Sequence, residues 1–231
     1  MMQSKTILGV FAHPDDAVFM AGASFAKWAA TGARIIWLVA TSGDKGSDLS
    51  GIKATDLIRK REAEERECAS RLGVQDVIFL RYRDGELFPT HDLRRDITRI
   101  IRNKKPDVVV TLDPTLYWYG EHSLNHPDHR AIGEATLSAV FPLIRGPLNY
   151  PEQANLENIS AHTVKEIYVA RPVEPNHFEI VDDYMEQKFN AIQAHESQIT
   201  DWDTVRERVL QRTKHEDGHY AESFRYINLA Y

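Results

Sequence analysis

The sequence predicts an α/β fold in three layers, a mostly parallel β-sheet with helices on both faces. Apolar strands alternate with amphipathic helical stretches in a βαβαβαβ order, which is the pattern of a parallel sheet covered on each side. The strand candidates are short apolar runs such as Ile7-Leu8-Gly9-Val10-Phe11 and Asp107-Val108-Val109-Val110-Thr111-Leu112, as expected of strands buried on both faces. A length of 231 residues with 42% hydrophobic content suits one α/β domain spanning residues 1–231.

The elements follow in order. A first strand near 6–12 leads into a helix near 17–31, whose apolar run is broken by Lys27 and is too short for a membrane span. A strand near 34–40 precedes a helix over 54–72 that turns Leu57, Ile58, Cys68, Ala69 and Leu72 to the core and leaves Lys60, Glu62, Glu65 and Arg66 to solvent. Gly73 is its natural stop. Strands near 76–80 and 107–112 flank a helix near 91–103, and a helix near 129–141 follows. Residues 142–162 carry Pro142, Gly146, Pro147 and Pro151 and read as a long loop inside the domain. A strand near 165–170 joins the sheet, and helices near 182–195 and 202–212 finish the fold.

Charge and composition exclude several functions. A net charge of −6 and a pI of about 5.9 argue against a polyanion binder, so no nucleic acid is expected as a partner. The sole cysteine, Cys68, cannot form an internal disulfide and reads as a packed thiol. With neither a signal-type segment nor a spanning apolar run, no membrane association is expected, and a cytoplasmic location is the simplest expectation.

Two clusters carry the chemistry. Ala12-His13-Pro14-Asp15-Asp16 follows the first strand directly, and His126-Pro127-Asp128-His129 lies in the loop beyond the strand at 107–112. In open α/β sheets ligands bind just beyond the carboxyl ends of strands, so two such loops can converge on one ion. Zinc takes imidazole nitrogen and carboxylate oxygen, and a catalytic zinc has three protein ligands with one open position. His13, Asp16 and His129 make such a set, with another divalent metal as the alternative. Asp15 is then free to act as general base beside the ion. Taken singly, each histidine reads as structural and the paired aspartates as a helix cap. A capping role for Asp16 does not explain the second histidine cluster.

With these residues the chain resembles the LmbE-like (PIG-L) deacetylases, zinc-dependent enzymes with a Rossmann-like fold that remove acetyl groups from N-acetylglucosamine-type sugars. That family's Ala-His-Pro-Asp-Asp-Glu motif is matched through Asp16, and its His-Pro-Asp-His motif is matched fully by residues 126–129. Thr41-Ser42-Gly43-Asp44-Lys45-Gly46, Arg61, Glu64, Leu72-Gly73-Val74, Asp84-Gly85 and His195-Glu196-Ser197-Gln198 resemble further family elements. The match is weakest between about residues 142 and 185. Ala17 stands where the family usually has Glu, which leaves the expected metal ligands intact and puts their supporting contacts in question, unless an acid from elsewhere serves.

The resemblance implies that His126 acts at the reacting carbonyl and that Asp128 orients it. A carboxylate there would raise the imidazole's pKa so that it stabilises the oxyanion and protonates the leaving amine; the alternative is that both residues only hold His129. Arg61 and Asp84 are implied substrate contacts, with ordinary salt bridges as the alternative. Tyr117-Trp118-Tyr119 forms either an apolar wall for the sugar or acyl group or a buried loop or subunit contact. His195 reads as part of a helix-end hydrogen-bonding element.

The implied reaction is zinc-assisted deacetylation of a small N-acyl amino sugar or glycoconjugate, with Asp15 taking the proton of the attacking water. The alternatives are an amidase for a bulkier thiol-sugar conjugate and a metal-binding protein whose catalysis has decayed. A homo-oligomer is in keeping with the resemblance.

Overall fold

The computed structural model describes residues 2, 4–47 and 50–230. In chain order the first half holds β1 (Thr6–Phe11), α1 (Asp16–Ala30), β2 (Arg34–Thr41), α2 (Ala54–Arg71), β3 (Asp76–Tyr82), α3 (His91–Lys104) and β4 (Val108–Leu112). There follow a small hairpin of β5 (Trp118–Tyr119) and β6 (Ser123–Leu124), then α4 (Pro127–Ser138), α5 (Pro151–Asn155) and β7 (Glu166–Ala170). The chain ends with β8 (His177–Ile180), α6 (Met185–Ile192), α7 (Trp202–Thr213) and β9 (Ala221–Asn228).

The main sheet runs β3-β2-β1-β4-β7-β9-β8, with the first five strands parallel and β9 antiparallel to both of its neighbours, β7 and β8. β1, β4 and most of β2 are buried, which is why they read as unbroken apolar runs. On one side α1, α2 and α6 pack together, and α3 and α4 pack against each other separately. Strand order steps from β1 to β2 and β3, then returns to place β4 on the other flank of β1. The loops after β1 and β4 therefore leave in opposite directions and open a crevice between them. Both histidine clusters lie there.

The structure corrects the expected outline in four places. The C-terminal region does not finish on helices, because β9 follows α7 and pairs with both β7 and β8. Its sequence, AESFRYIN, mixes polar and apolar residues because it sits near the sheet edge, where one face is wet. The loop at 142–162 contains the short α5 and is pinned by the buried Arg102, whose guanidinium donates to the carbonyls of Leu143, Ile144, Gly146 and Asn149. The expected helix at 129–141 begins earlier, at Pro127, which suits a first helical position.

The fourth correction concerns α2. Glu62 and Glu65 are buried rather than wet. Glu62 accepts from Ser42 Oγ at 2.7 Å and Arg81 Nε at 2.8 Å, while Glu65 accepts the Asp15 N–H at 2.9 Å. Helical periodicity assigns charged residues to solvent, and here loops from the neighbouring strands supply the partners instead. No helix of the described residues is long and apolar enough to cross a membrane.

Candidate metal centre

The loop after β1 makes one tight turn before α1, and Asp15 sits in it with φ at 99°, in the left-handed region that a non-glycine residue occupies at a cost of about 1–3 kcal/mol. Three bonds hold it there. The Asp15 N–H donates to Glu65, and Arg61 Nη2 donates to the Pro14 carbonyl at 2.7 Å and to Asp15 Oδ2 at 3.2 Å. Arg61 is buried and reaches this loop across Gly43 and Gly46, where a Cβ would fall on its guanidinium. That steric demand accounts for the glycines after β2. Arg61 thus bonds Asp15 Oδ2 and the carbonyls of Pro14 and Gly43.

Asp16 faces the other way. Its Oδ2 accepts the N–H groups of Ala12 and His13 at 3.1 and 2.8 Å, and its Oδ1 lies 3.0 Å from His129 Nε2. His13 Nδ1 is 3.4 Å from Asp16 Oδ2. Burial opposes charge on Asp16, yet the two imidazoles hold its carboxyl well below the usual range. Asp15 is driven oppositely. Burial and the charge of Asp16 raise its carboxyl to about 6 against the lowering pull of Arg61.

The second motif enters at the start of α4. Asn125 fixes His129, because its Nδ2 donates to the Leu116 carbonyl at 2.7 Å and leaves Oδ1 as the acceptor for His129 Nδ1 at 2.8 Å. His129 therefore donates Nδ1–H to Asn125, and Nε2 is the ring nitrogen that faces the Asp16 carboxylate. Asn125 was not among the residues expected from the sequence, where its position just before His126 is the one signal of its role.

Asp128 lies on His13 rather than on His126. Its Oδ2 is 3.2 Å from His13 Nε2, and its oxygens also accept the N–H groups of Gly85 and Leu87 at 2.7 and 3.2 Å. The approach of its carboxylate to His126 Nδ1 is 4.0 Å. His126 Nδ1 accepts the Asp128 N–H at 3.2 Å, which puts the neutral ring's proton on Nε2. The expected rise in the His126 pKa is reversed. Burial and the nearby His13 charge lower it, and Asp128 offsets this only in part. Asp84 Oδ1 sits between the two rings, 3.1 Å from His13 Nε2 and 3.9 Å from His126 Nε2.

The donor set fits a divalent cation. His13, Asp16 and His129 each bring one ligand atom within 4.8 Å of the others. A second group of His13, Asp84, His126 and Asp128 meets the same limit, but the Asp128 oxygens are occupied by backbone N–H groups. In the first set Asp16 Oδ1 takes no backbone N–H, and Asp128 approaches His13 at Nε2, which leaves Nδ1 facing that set. Without an ion, the surrounding carboxylates hold a proton on His13 well above its ordinary range despite the opposing effect of burial. A cation would take the place of that proton.

The late His195 element braces the site from behind. Ser197 donates through N and Oγ to Glu64, and Gln198 Nε2 donates to the Gly46 carbonyl at 3.1 Å. His195 is buried 3.4 Å from Glu65, with burial lowering its pKa to about 3. Of the aromatic run, the Tyr119 side chain reaches this network, its hydroxyl donating to Asn125 Oδ1 at 2.8 Å, and the Tyr117 carbonyl accepts the Asn125 N–H at 2.8 Å. Tyr117 and Trp118 are exposed. The loop around Ala17 does have an acid, Glu65 from α2, on the Asp15 backbone.

Comparison with known proteins finds relatives along most of the chain. The chain is 29% identical to a diacetylchitobiose deacetylase from Thermococcus kodakarensis over 96% of this chain and 83% of that protein. It is 34% identical to a 1D-myo-inositol 2-acetamido-2-deoxy-alpha-D-glucopyranoside deacetylase from Thermobifida fusca over 60% of this chain and 55% of that one, so it spans about half the length of that relative. The solved N,N'-diacetylchitobiose deacetylase from Pyrococcus horikoshii, an inhibitor complex, superimposes with a TM-score of 0.89 at 29% identity, covering 97% of this chain and 84% of that one. The PIG-L family model, described as GlcNAc-PI de-N-acetylase, matches residues 8–140, which hold both histidine clusters and the strands that present them, and the chain belongs to that family.

Proposed function

We propose that this chain is a metal-dependent amidohydrolase that removes the acetyl group from an N-acetylated amino sugar or a conjugate bearing one. The observation that carries the reading is the convergence of His13, Asp16 and His129 in one crevice with Asp15 directly beside them. The similarity to sugar deacetylases supports the substrate class. Residues 1–231 act as one domain in this proposal, since strands from both halves share one sheet.

His13, Asp16 and His129 would hold the cation, for which we propose zinc. Bound there, it supplies Lewis acidity toward the acyl oxygen and makes nearby water more acidic. Asp15 takes the proton of the attacking water. A carboxyl near 6 is mostly ionised at neutral pH and still basic enough for the transfer. Arg61 fixes the orientation of that carboxylate. His126 presents Nε2–H as a neutral donor to the oxyanion, a role that needs no protonated ring. The C–N bond then breaks, and the proton held by Asp15 passes to the leaving amine, giving acetate and a free amino sugar. Asp84 and Asp128 position the imidazoles. A cytoplasmic location belongs to the same proposal, and the buried free thiol of Cys68 is compatible with it.

The test is acetate release by zinc-loaded protein from N-acetylglucosamine, its glycosides and diacetylchitobiose, before and after chelation. Turnover abolished by chelator and restored by zinc is the expected result. Retained metal without turnover of any N-acetylated sugar would instead favour a decayed, metal-binding protein.

A further inference from the structure

Beside the metal centre, α1, the β5–β6 hairpin, α7 and β9 enclose a cavity of about 340 Å³ that the chemistry above does not use. Three basic side chains line it. Lys188 is buried and fully engaged, donating to Glu222 Oε1 at 2.7 Å and to the Phe19 carbonyl at 3.0 Å. Glu222 is equally committed, since it also accepts the N–H groups of Ala23 and Ser24 at 3.1 and 2.8 Å. That pair cancels its own charge.

Arg171 and Arg212 are different. Among the described residues neither guanidinium has a carboxylate within 4.0 Å. Arg171 follows β7 with φ at 49° and lies over the Tyr119 ring, its guanidinium carbon 4.2 Å from the centroid. Burial, and then the charge of Arg212, both work against its charged form. An anion received between the two would relieve both effects, and guanidinium forks match the oxygens of phosphate and carboxylate.

Tyr119 joins this cavity to the reaction site. Its ring carries Arg171, and its hydroxyl reaches Asn125, the residue that orients His129. Tyr119 therefore stands between the metal centre and the arginines. We propose that Arg171 and Arg212 form a subsite for an oxyanion, a phosphate or carboxylate, carried by the substrate away from its N-acetyl group. The substrate class is then an anionic N-acetylamino sugar. This rests on the deacetylase reading, which the test below separates from it.

Binding to the zinc-loaded protein is measured calorimetrically with products, which undergo no turnover: glucosamine 1-phosphate and glucosamine 6-phosphate against methyl glucosaminide, with inorganic phosphate alone as a control. At least one sugar phosphate should bind about tenfold or more tighter than the neutral sugar. Arg171→Gln and Arg212→Gln should each reduce that preference to within about threefold of parity. Arg212 is exposed on α7, so its variant tests the proposal even where Arg171→Gln misfolds. No preference in the wild type, or a preference that survives both substitutions and so places the anion on the metal, overturns the subsite. Inorganic phosphate binding as tightly as the sugar phosphates also overturns it, because the anion would then not belong to the sugar. Acetate release from the corresponding N-acetyl sugars is measured in parallel. An arginine-dependent preference without any acetate release supports the subsite and defeats the deacetylase reading.

Discussion

Replacing Glu65 with Gln should stabilise the metal-free protein by an amount that grows with pH. The Glu65 side chain is fully buried, and burial raises its carboxyl to about 8, with Asp15 and Asp16 adding to the rise and the Asp15 N–H opposing it. His195, 3.4 Å away and lowered to about 3, is neutral and supplies no counter-charge. In the unfolded chain Glu65 ionises near its ordinary value of 4.5. Between these two values the folded state binds more protons than the unfolded state, so stability falls as pH rises. Each pH unit costs about 1.4 kcal/mol, which gives roughly 3 kcal/mol at pH 7 and a plateau of about 5 kcal/mol above pH 8. Gln does not titrate, and its amide oxygen can still accept the Asp15 N–H. The variant should therefore match the wild type near pH 4 and exceed it by about those amounts at pH 7 and pH 9. Urea unfolding of chelator-treated wild type and variant at matched pH gives the difference, in which the titrations of other groups cancel. A gap independent of pH, or a variant less stable than wild type at pH 9, would refute the argument.

Asp15→Asn should keep its metal and lose at least about a hundredfold in kcat, and the wild-type rate should fall as pH drops through about 6, where Asp15 gains its proton; a bound cation would move that limb lower, and the variant should lack it. His126→Ala should retain zinc and thermal stability while kcat falls by about a hundredfold, and near-normal kcat with intact zinc would remove it from the mechanism. Asn125→Ala should weaken zinc binding by about 10–100-fold with the fold intact, because the His129 ring loses the partner that sets its tautomer; unchanged affinity in a metal titration would refute this. Zinc binding at pH 7 should release protons from His13, seen as a dependence of the calorimetric enthalpy on buffer ionisation, and a buffer-independent enthalpy would contradict the proposed ligand set.

The parallel strands and the helices between them were legible because burial on both faces leaves continuous apolar runs, as in Ile35–Ala40 and Val108–Val110. β9 was not, because near an antiparallel edge Arg225 and Asn228 face solvent, and Glu222 is buried by pairing with Lys188 from a distant helix. The members of the metal cluster were legible for a related reason: His13, Asp16 and His129 follow strand ends whose positions periodicity fixes. Their supporting contacts were hidden. Glu65 lies 50 positions from the Asp15 N–H that it accepts, and Asp128 lies 115 positions from the His13 ring that it orients. Spacing along the chain favours the neighbouring His126 as the partner of Asp128, and only the loop's return across the crevice reverses that choice.

The two adjacent aspartates show how one backbone angle divides the chemistry. Asp15 and Asp16 are chemically identical and both largely buried, so composition gives no ground for assigning one to bind and the other to titrate. With φ at 99°, the chain turns at Asp15, and the two carboxylates diverge. Asp16 meets two backbone N–H groups and two imidazoles, every one of which favours its ionised form. The Asp15 carboxylate takes a hydrogen bond from Arg61, while burial and the adjacent Asp16 charge oppose its ionisation. A cation near Asp16 needs a permanently ionised ligand, whereas proton transfer needs a carboxyl whose two forms are close in energy at working pH. In the proposed mechanism the backbone turn at Asp15 separates the two functions, and Glu65 and Arg61 are the groups that hold that turn in place.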